Sequence, residues 1–158
     1  MSMSNLYQIS ADLKATTQDL ARVERPSAAL TLTRSAVLAI TTAGTIITWQ
    51  VETRNQGFTW SGTTITIPTS GYYLTQFFFA TGSVTLTTQR VVNGVNLLLF
   101  ATTGPNVYHA GNMTRYYTAG DQLEIRVLPS VNTNINVNAE NVALESPLLH
   151  IVQLSGVI

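Results

Sequence analysis

Short alternations of apolar and polar residues, broken every few positions by Gly, Pro or Asn, run from Ala29 to Leu154. A period of two marks strands that bury one face, and the breaks mark the turns between them. The pattern predicts strands at Ala29–Thr33, Ala36–Ile40, Ile46–Glu52, Phe58–Trp60, Thr63–Ile67 and Tyr72–Phe79. It predicts more at Val84–Thr87, Val95–Phe100, Thr114–Thr118, Leu123–Leu128, Val131–Asn138 and Pro147–Leu154. Pro68-Thr69-Ser70-Gly71 ends one strand and opens the next, placing that pair at the middle of a β-sandwich, and Val92-Asn93-Gly94-Val95 carries the strongest short hairpin signal. Gly120-Asp121 reads as a turn, and Ala101–Asn112, rich in Thr, Gly, Pro and Asn, reads as the main loop. From Val131 to Asn138 the four Asn residues share one side, with Val131, Ile135 and Val137 on the other.

Two stretches depart from the one-face-buried pattern. In Tyr72–Phe79, Tyr73, Phe77 and Phe79 point one way and Tyr72, Leu74, Gln76 and Phe78 the other, so both faces are apolar. A sandwich sheet has one inner face, so the second needs a cover: another subunit, or a loop or terminal arm of the same chain. Pro147–Leu154 is apolar on both faces apart from His150 and Gln153, which predicts a central strand. Met1–Arg25 has a different period. Leu6, Ile9, Leu13, Thr16, Leu20 and Val23 follow one another at three or four residues, the seam of an amphipathic helix or short coiled coil. Ser4 or Asn5 is placed to cap it and Pro26 to stop it. A helix of about 20 residues is marginal alone, so this arm orders against a partner. The chain therefore divides into an arm, helical or extended, over residues 1–26 and a β domain over 27–158. A trimeric stalk, an anchor on another protein, and a tail or helix folded back on its own domain are the readings open for the arm.

Composition narrows the function classes. Only 10% of the 158 residues are charged and the net charge is zero, so no basic stripe exists for nucleic acid or anionic lipid. Twenty-four threonines supply much of the polar surface, and a β-branched residue with a hydroxyl suits the wet face of a sheet. A β protein with so few charges invites edge-to-edge association unless its edges and apolar patches are covered, and oligomerisation is one way to cover them. Cysteine is absent, which excludes disulfide frameworks and thiol chemistry. No run reads as a secretory signal or is long and apolar enough to span a bilayer.

Specific motifs add a resemblance. Ile47-Thr48-Trp49-Gln50-Val51, then Asn55 and Gly57, then Thr66-Ile67-Pro68-Thr69-Ser70-Gly71-Tyr72-Tyr73 stand in the order found in the complement globular head and tumour necrosis factor superfamily. Val92–Val95 and Ala119–Val127 continue that order, and the chain resembles this superfamily from about Ala28 to Ile158. The resemblance implies an all-β, ten-stranded jelly roll assembled as a homotrimer, used for binding or scaffolding rather than catalysis. It also implies that the strand after Gly71 lies in the sheet facing the trimer axis. Leu74, Gln76 and Phe78, with Glu124, Arg126 and His150 from neighbouring strands, would then form the trimer interface.

Catalytic chemistry has little to work with. His109 and His150 stand alone, without a partner at metal-ligand spacing, and a single His in an apolar strand is read as a packed or hydrogen-bonded residue. Asp121 most simply stabilises its turn, while Glu124 and Arg126 share a strand face and can pair. No glycine-rich phosphate loop, nucleophile elbow or calcium loop appears, so no enzyme activity, metal or cofactor is expected. By analogy with the resembled superfamily, whose secreted cellular members usually carry a secretion signal and a collagen-like stalk, the seam-bearing arm and the lack of both features imply a bacteriophage virion protein, a trimeric capsid decoration, cement or head-fibre protein. Its arm, through Leu6, Ile9, Leu13, Leu20 and Val23, would bind the major capsid protein or another virion protein, and the chain would reside in the virion. The alternative is a receptor- or carbohydrate-binding tip of a tail fibre or adhesin. In that case the loop residues Tyr108, His109 and Asn112 would meet a host-surface glycan, with Tyr108 as a stacking platform.

Overall fold

A computed structural model describes residues 28–98, 103–137 and 147–156. The arm residues Leu6, Ile9, Leu13, Leu20 and Val23 lie outside the described residues. Among the described residues the protein is all β, with twelve strands: β1 Ala29–Thr33, β2 Leu38–Ile40, β3 Thr45–Ile46, β4 Val51–Gln56, β5 Thr59–Ser61, β6 Thr64–Thr66, β7 Gly71–Val92, β8 Val95–Leu98, β9 Thr103–Tyr117, β10 Gln122–Pro129, β11 Thr133–Asn136 and β12 Leu148–Gly156. Every pairing is antiparallel.

The 22-residue β7 joins two layers. Its first half, Gly71 to Ala80, lies between β12 and β9, and β12 continues to β1 and β4. Its second half, Leu86 to Val92, pairs with β10 and, near its end, with β8. On its other edge β10 carries β6 and β3, and β5 closes that side as the hairpin partner of β6. The change of partners occurs where the pairing with β9 is irregular, between Ala80 and Val84. Thr81 and Val84, three apart, are both buried. An extra residue there reverses the alternation, and such bulges bend a strand.

The bend turns one sheet over on itself. Leu30 and Leu32 of β1, Leu149 and Ile151 of β12, and Tyr73, Phe77 and Phe79 of β7 belong to the same buried cluster as Leu123, Ile125 and Val127 of β10, Ile65 of β6 and Leu86 of β7. Side chains from both halves fill a single interior, as in a two-layer jelly roll. Phe77 and Phe79 stack with centroids 4.9 Å apart, and Tyr73 meets Phe58 and Tyr117 edge to face. The buried Tyr73 hydroxyl donates to the Thr69 carbonyl at 2.7 Å, so the phenol enters the core without an orphaned polar group.

Several sequence expectations hold and three are corrected. Asn93 and Gly94 both have positive φ, 50° and 79°, the two-residue turn that fits the twist of a hairpin. Gly120, at φ 88°, stands in the predicted Gly-Asp turn, where the Thr118 amide donates to the Asp121 carboxylate at 2.8 Å. Ile135 is buried between exposed Asn134 and Asn136, and β12 is central, between β1 and β7. The first correction concerns the stretch around Pro68: β6 and β7 do not pair with each other, because β10 stands between them. The second concerns Ala101–Asn112: from Thr103 onward this segment is strand, paired with β7. The third concerns Glu124, which accepts from the Thr63 and Thr64 hydroxyls at 3.1 and 2.9 Å, while Arg126 donates to the Ala43 carbonyl at 2.6 Å. Glu124 is held by the start of β6 and the residue before it, and Arg126 by the turn before β3, rather than by each other.

Candidate functional site

The outer face of the layer β4-β1-β12-β7-β9 departs from an ordinary wet sheet surface. Even-numbered residues of the first half of β7 point outward, and their cross-strand neighbours are known from the register. Phe78 lies between Leu148 of β12 and Ala110 of β9, and Leu74 between Val152 and Thr114. Leu74, Phe78, Leu148 and Val152 are each half-buried on a face that no described element covers. At one end Tyr72 and Tyr116, 52% and 44% exposed, meet edge to face at 5.4 Å. At the other, Tyr108 stacks on Phe78 with centroids 5.9 Å apart and planes 19° from parallel.

A polar row crosses the middle of this face. Arg54 of β4 pairs with Thr31 of β1, Thr31 with His150 of β12, His150 with Gln76 of β7, and Gln76 with Asn112 of β9. His150 Nδ1 and Thr31 Oγ1 are 2.8 Å apart. Burial, and secondarily the positive charge of Arg54, hold the His150 imidazole below its ordinary pKa. The face is therefore an apolar field with one narrow band of hydrogen-bonding groups.

The structure brings together Leu74, Gln76, Phe78 and His150 of the sequence-predicted set, but not Glu124 and Arg126. Those two stand on β10, which pairs with the second half of β7, in the other layer. The three residues assigned to a ligand loop are also redistributed. They are on β9, where alternation sends Tyr108 and Asn112 to the outer face and His109 into the interior. His109 is 1% exposed and its Nε2 lies 3.0 Å from the Thr81 hydroxyl. It cannot meet a ligand at the surface. Sequence reasoning missed Tyr116, Leu148 and Val152. The apolar character of both faces of the last strand was the signal for Leu148 and Val152, whereas Tyr116 needed its register with Tyr72.

Among the described residues no three His, Cys, Asp or Glu lie close enough to hold a metal ion. No described helix is long and apolar enough to cross a membrane.

Solved structures share this arrangement of strands. A crystal structure of murine APRIL matches with a TM-score of 0.56 at 18% identity, over 80% of this chain and 98% of that one. Eiger TNF from S. frugiperda matches with a TM-score of 0.57 at 14% identity, over 85% of this chain and 96% of that one. The globular domain of zebrafish complement 1qA protein matches with a TM-score of 0.54 at 12% identity, over 84% and 99%. The fold is the jelly roll of tumour necrosis factor and C1q. A scan against protein-family models finds no match, and a search of curated proteins finds none either. At these identities the likeness describes the TNF-like jelly roll as a backbone architecture and leaves function to the residues on its surface.

Proposed function

We infer that this chain is a non-catalytic assembly domain that forms a homotrimer through the outer face of the β4-β1-β12-β7-β9 layer. The observation that carries the reading is the apolar field of Leu74, Phe78, Leu148 and Val152, flanked by Tyr72, Tyr108 and Tyr116. A contiguous apolar patch of this kind on a soluble domain marks a contact surface, and aromatic residues are enriched in such contacts. The TNF-like fold supports a threefold arrangement over a twofold one. Sedimentation or light scattering of the unmodified chain is expected to give three times the 17.1 kDa chain mass. Phe78→Glu, which places a carboxylate at the centre of the apolar field, is expected to give the mass of one chain. A single-chain mass for the unmodified protein would sink the reading.

Within this reading the trimer is a bacteriophage virion protein, a decoration, cement or head-fibre protein fixed to the particle by residues 1–26. Support comes from the seam of Leu6, Ile9, Leu13, Leu20 and Val23, which is too short to stand alone and suits docking on a larger surface. Antibody against the chain is expected to label purified virus particles, and particles assembled with a chain beginning at Ser27 are expected to lose the label. Equal labelling of both would remove the anchor from the proposal.

A further inference from the structure

His150 occupies the centre of the assembly face. It lies on β12, with two strands on either side, in the polar row Arg54, Thr31, His150, Gln76, Asn112. Apolar rows border it: Leu148 and Phe78 on one side, Val152 and Leu74 on the other. The groups that face it are Thr31 from β1, Gln76 from β7, and, one strand further out, Arg54 from β4 and Asn112 from β9. The only charge among them is positive. The three described carboxylates are engaged elsewhere: Glu52 with Asn55 and Trp60, Asp121 with Asn93 and Thr118, Glu124 with Thr63 and Thr64. An imidazolium at this place would have no counter-ion from the described part of its own chain. The neutral ring already has Thr31 as a hydrogen-bond partner for Nδ1, at 2.8 Å.

We propose that His150 is an acid-release switch for the assembly: the neutral ring lets the faces close, and protonation opens them. The proposal rests on the trimer reading. Half-buried in one chain, His150 loses its remaining water when a second face covers it. Neutral histidine gives up that water at small cost, whereas a cation without a partner does so at large cost. Three copies meet in one assembly, so the effect is cubed. For each pH unit below the pKa of His150 in the separate chain, association weakens about tenfold per site, or about 1,000-fold for the trimer. Burial, and secondarily the positive neighbour Arg54, place that transition on the acid side of an ordinary histidine. The threshold should therefore lie in mildly acid solution, with the protein assembled at neutral pH.

The test is solution mass at pH 7.5 and pH 5.0 for the full chain and for His150→Gln, which keeps a hydrogen-bonding group and cannot titrate. The expected result is a trimer at pH 7.5 that dissociates at pH 5.0, and a His150→Gln protein that stays trimeric at both. A wild-type trimer unchanged at pH 5.0, or a His150→Gln trimer that dissociates as readily, overturns the switch and leaves the trimer standing. A single-chain mass at pH 7.5 overturns both. Should His150→Gln fail to fold, Arg54→Gln decides. Removing the exposed cation is expected to move the dissociation midpoint to higher pH, and an unmoved or lowered midpoint overturns the proposal.

Discussion

Phe79 is fully buried, stacked on Phe77, at the point where β7 approaches its bend. Truncation there removes a ring that the rigid sheet cannot collapse to replace. Phe79→Ala is expected to cost about 3–5 kcal/mol in chemical denaturation. Phe78 is the opposite case, since its ring faces outward and, in the proposed trimer, contributes to association more than to the fold. Its Glu variant should therefore unfold near the wild-type denaturant midpoint when both are compared as dilute single chains. A neutral variant, Phe78→Asn, isolates His150 without setting a carboxylate diagonally across from it. Burial and Arg54 hold the folded imidazole below its ordinary pKa of about 6.5. Above that value both folded and unfolded states are neutral, and stability does not depend on this group. As pH falls through it, the unfolded chain takes the proton first, and stability declines until the folded pKa is passed. The thermal midpoint of Phe78→Asn is thus expected to fall between pH 7.5 and 5.5, and the fall should shrink when His150→Gln is added.

At the scale of the elements, the hairpin between β7 and β8 is tied to the neighbouring turn before β10. The Asn93 side chain donates to Asp121 at 2.8 Å and accepts from the Gln122 amide at 2.9 Å, while holding a positive φ. Asn93→Ala loses both bonds and places a less tolerant residue at that φ. The expected loss is about 1–3 kcal/mol in denaturation, and Asn93→Asp is expected to be no milder, because it keeps the acceptor for Gln122 but sets a second carboxylate against Asp121 where the amide donated. The Asn-Gly signal made this hairpin legible in advance, as the alternation of Tyr72–Phe79 made its two faces legible. β9 was not legible. Gly104, Pro105, Asn106 and Gly111 have turn-like preferences, yet the segment is strand because Gly71–Leu86 of β7 offers it a ladder of backbone partners, from 17 positions away in sequence (Leu86 with Thr103) to 46 (Gly71 with Tyr117). Among the described residues β9 pairs only with β7 and so leaves an open edge, where Gly and Pro are tolerated.

For the whole molecule, the proposed division into an arm over residues 1–26 and a β domain over 27–158 bears separately on assembly. The apolar field lies entirely within the described β domain, so a chain beginning at Ser27 is expected to keep the trimer mass of the full chain in sedimentation. A trimer seen only with residues 1–26 present would make the arm a stalk and the outer face a surface for another partner. Glu124 and Arg126 give a further check, because they stand in the second layer. Substituting either by Ala is expected to leave the trimer mass unchanged.

What the sequence determined by itself is local: which residues share a strand face, where Asn-Gly and Gly-Asp reverse the chain, and that one aromatic strand has two apolar sides. These follow from a period of two and from backbone preferences that act within a few residues. Tertiary structure alone decided which strands stand beside each other. Glu124 left the predicted interface because β10 pairs beyond the bend at Ala80–Val84, and His109 left the predicted ligand site because its strand has the register that turns it inward. A register shift of one residue exchanges the two faces of a strand, and register is set by partners distant in sequence. The outer face was therefore foreseeable from β7, while its polar row, with His150 at the centre, emerged only from five strands aligned side by side.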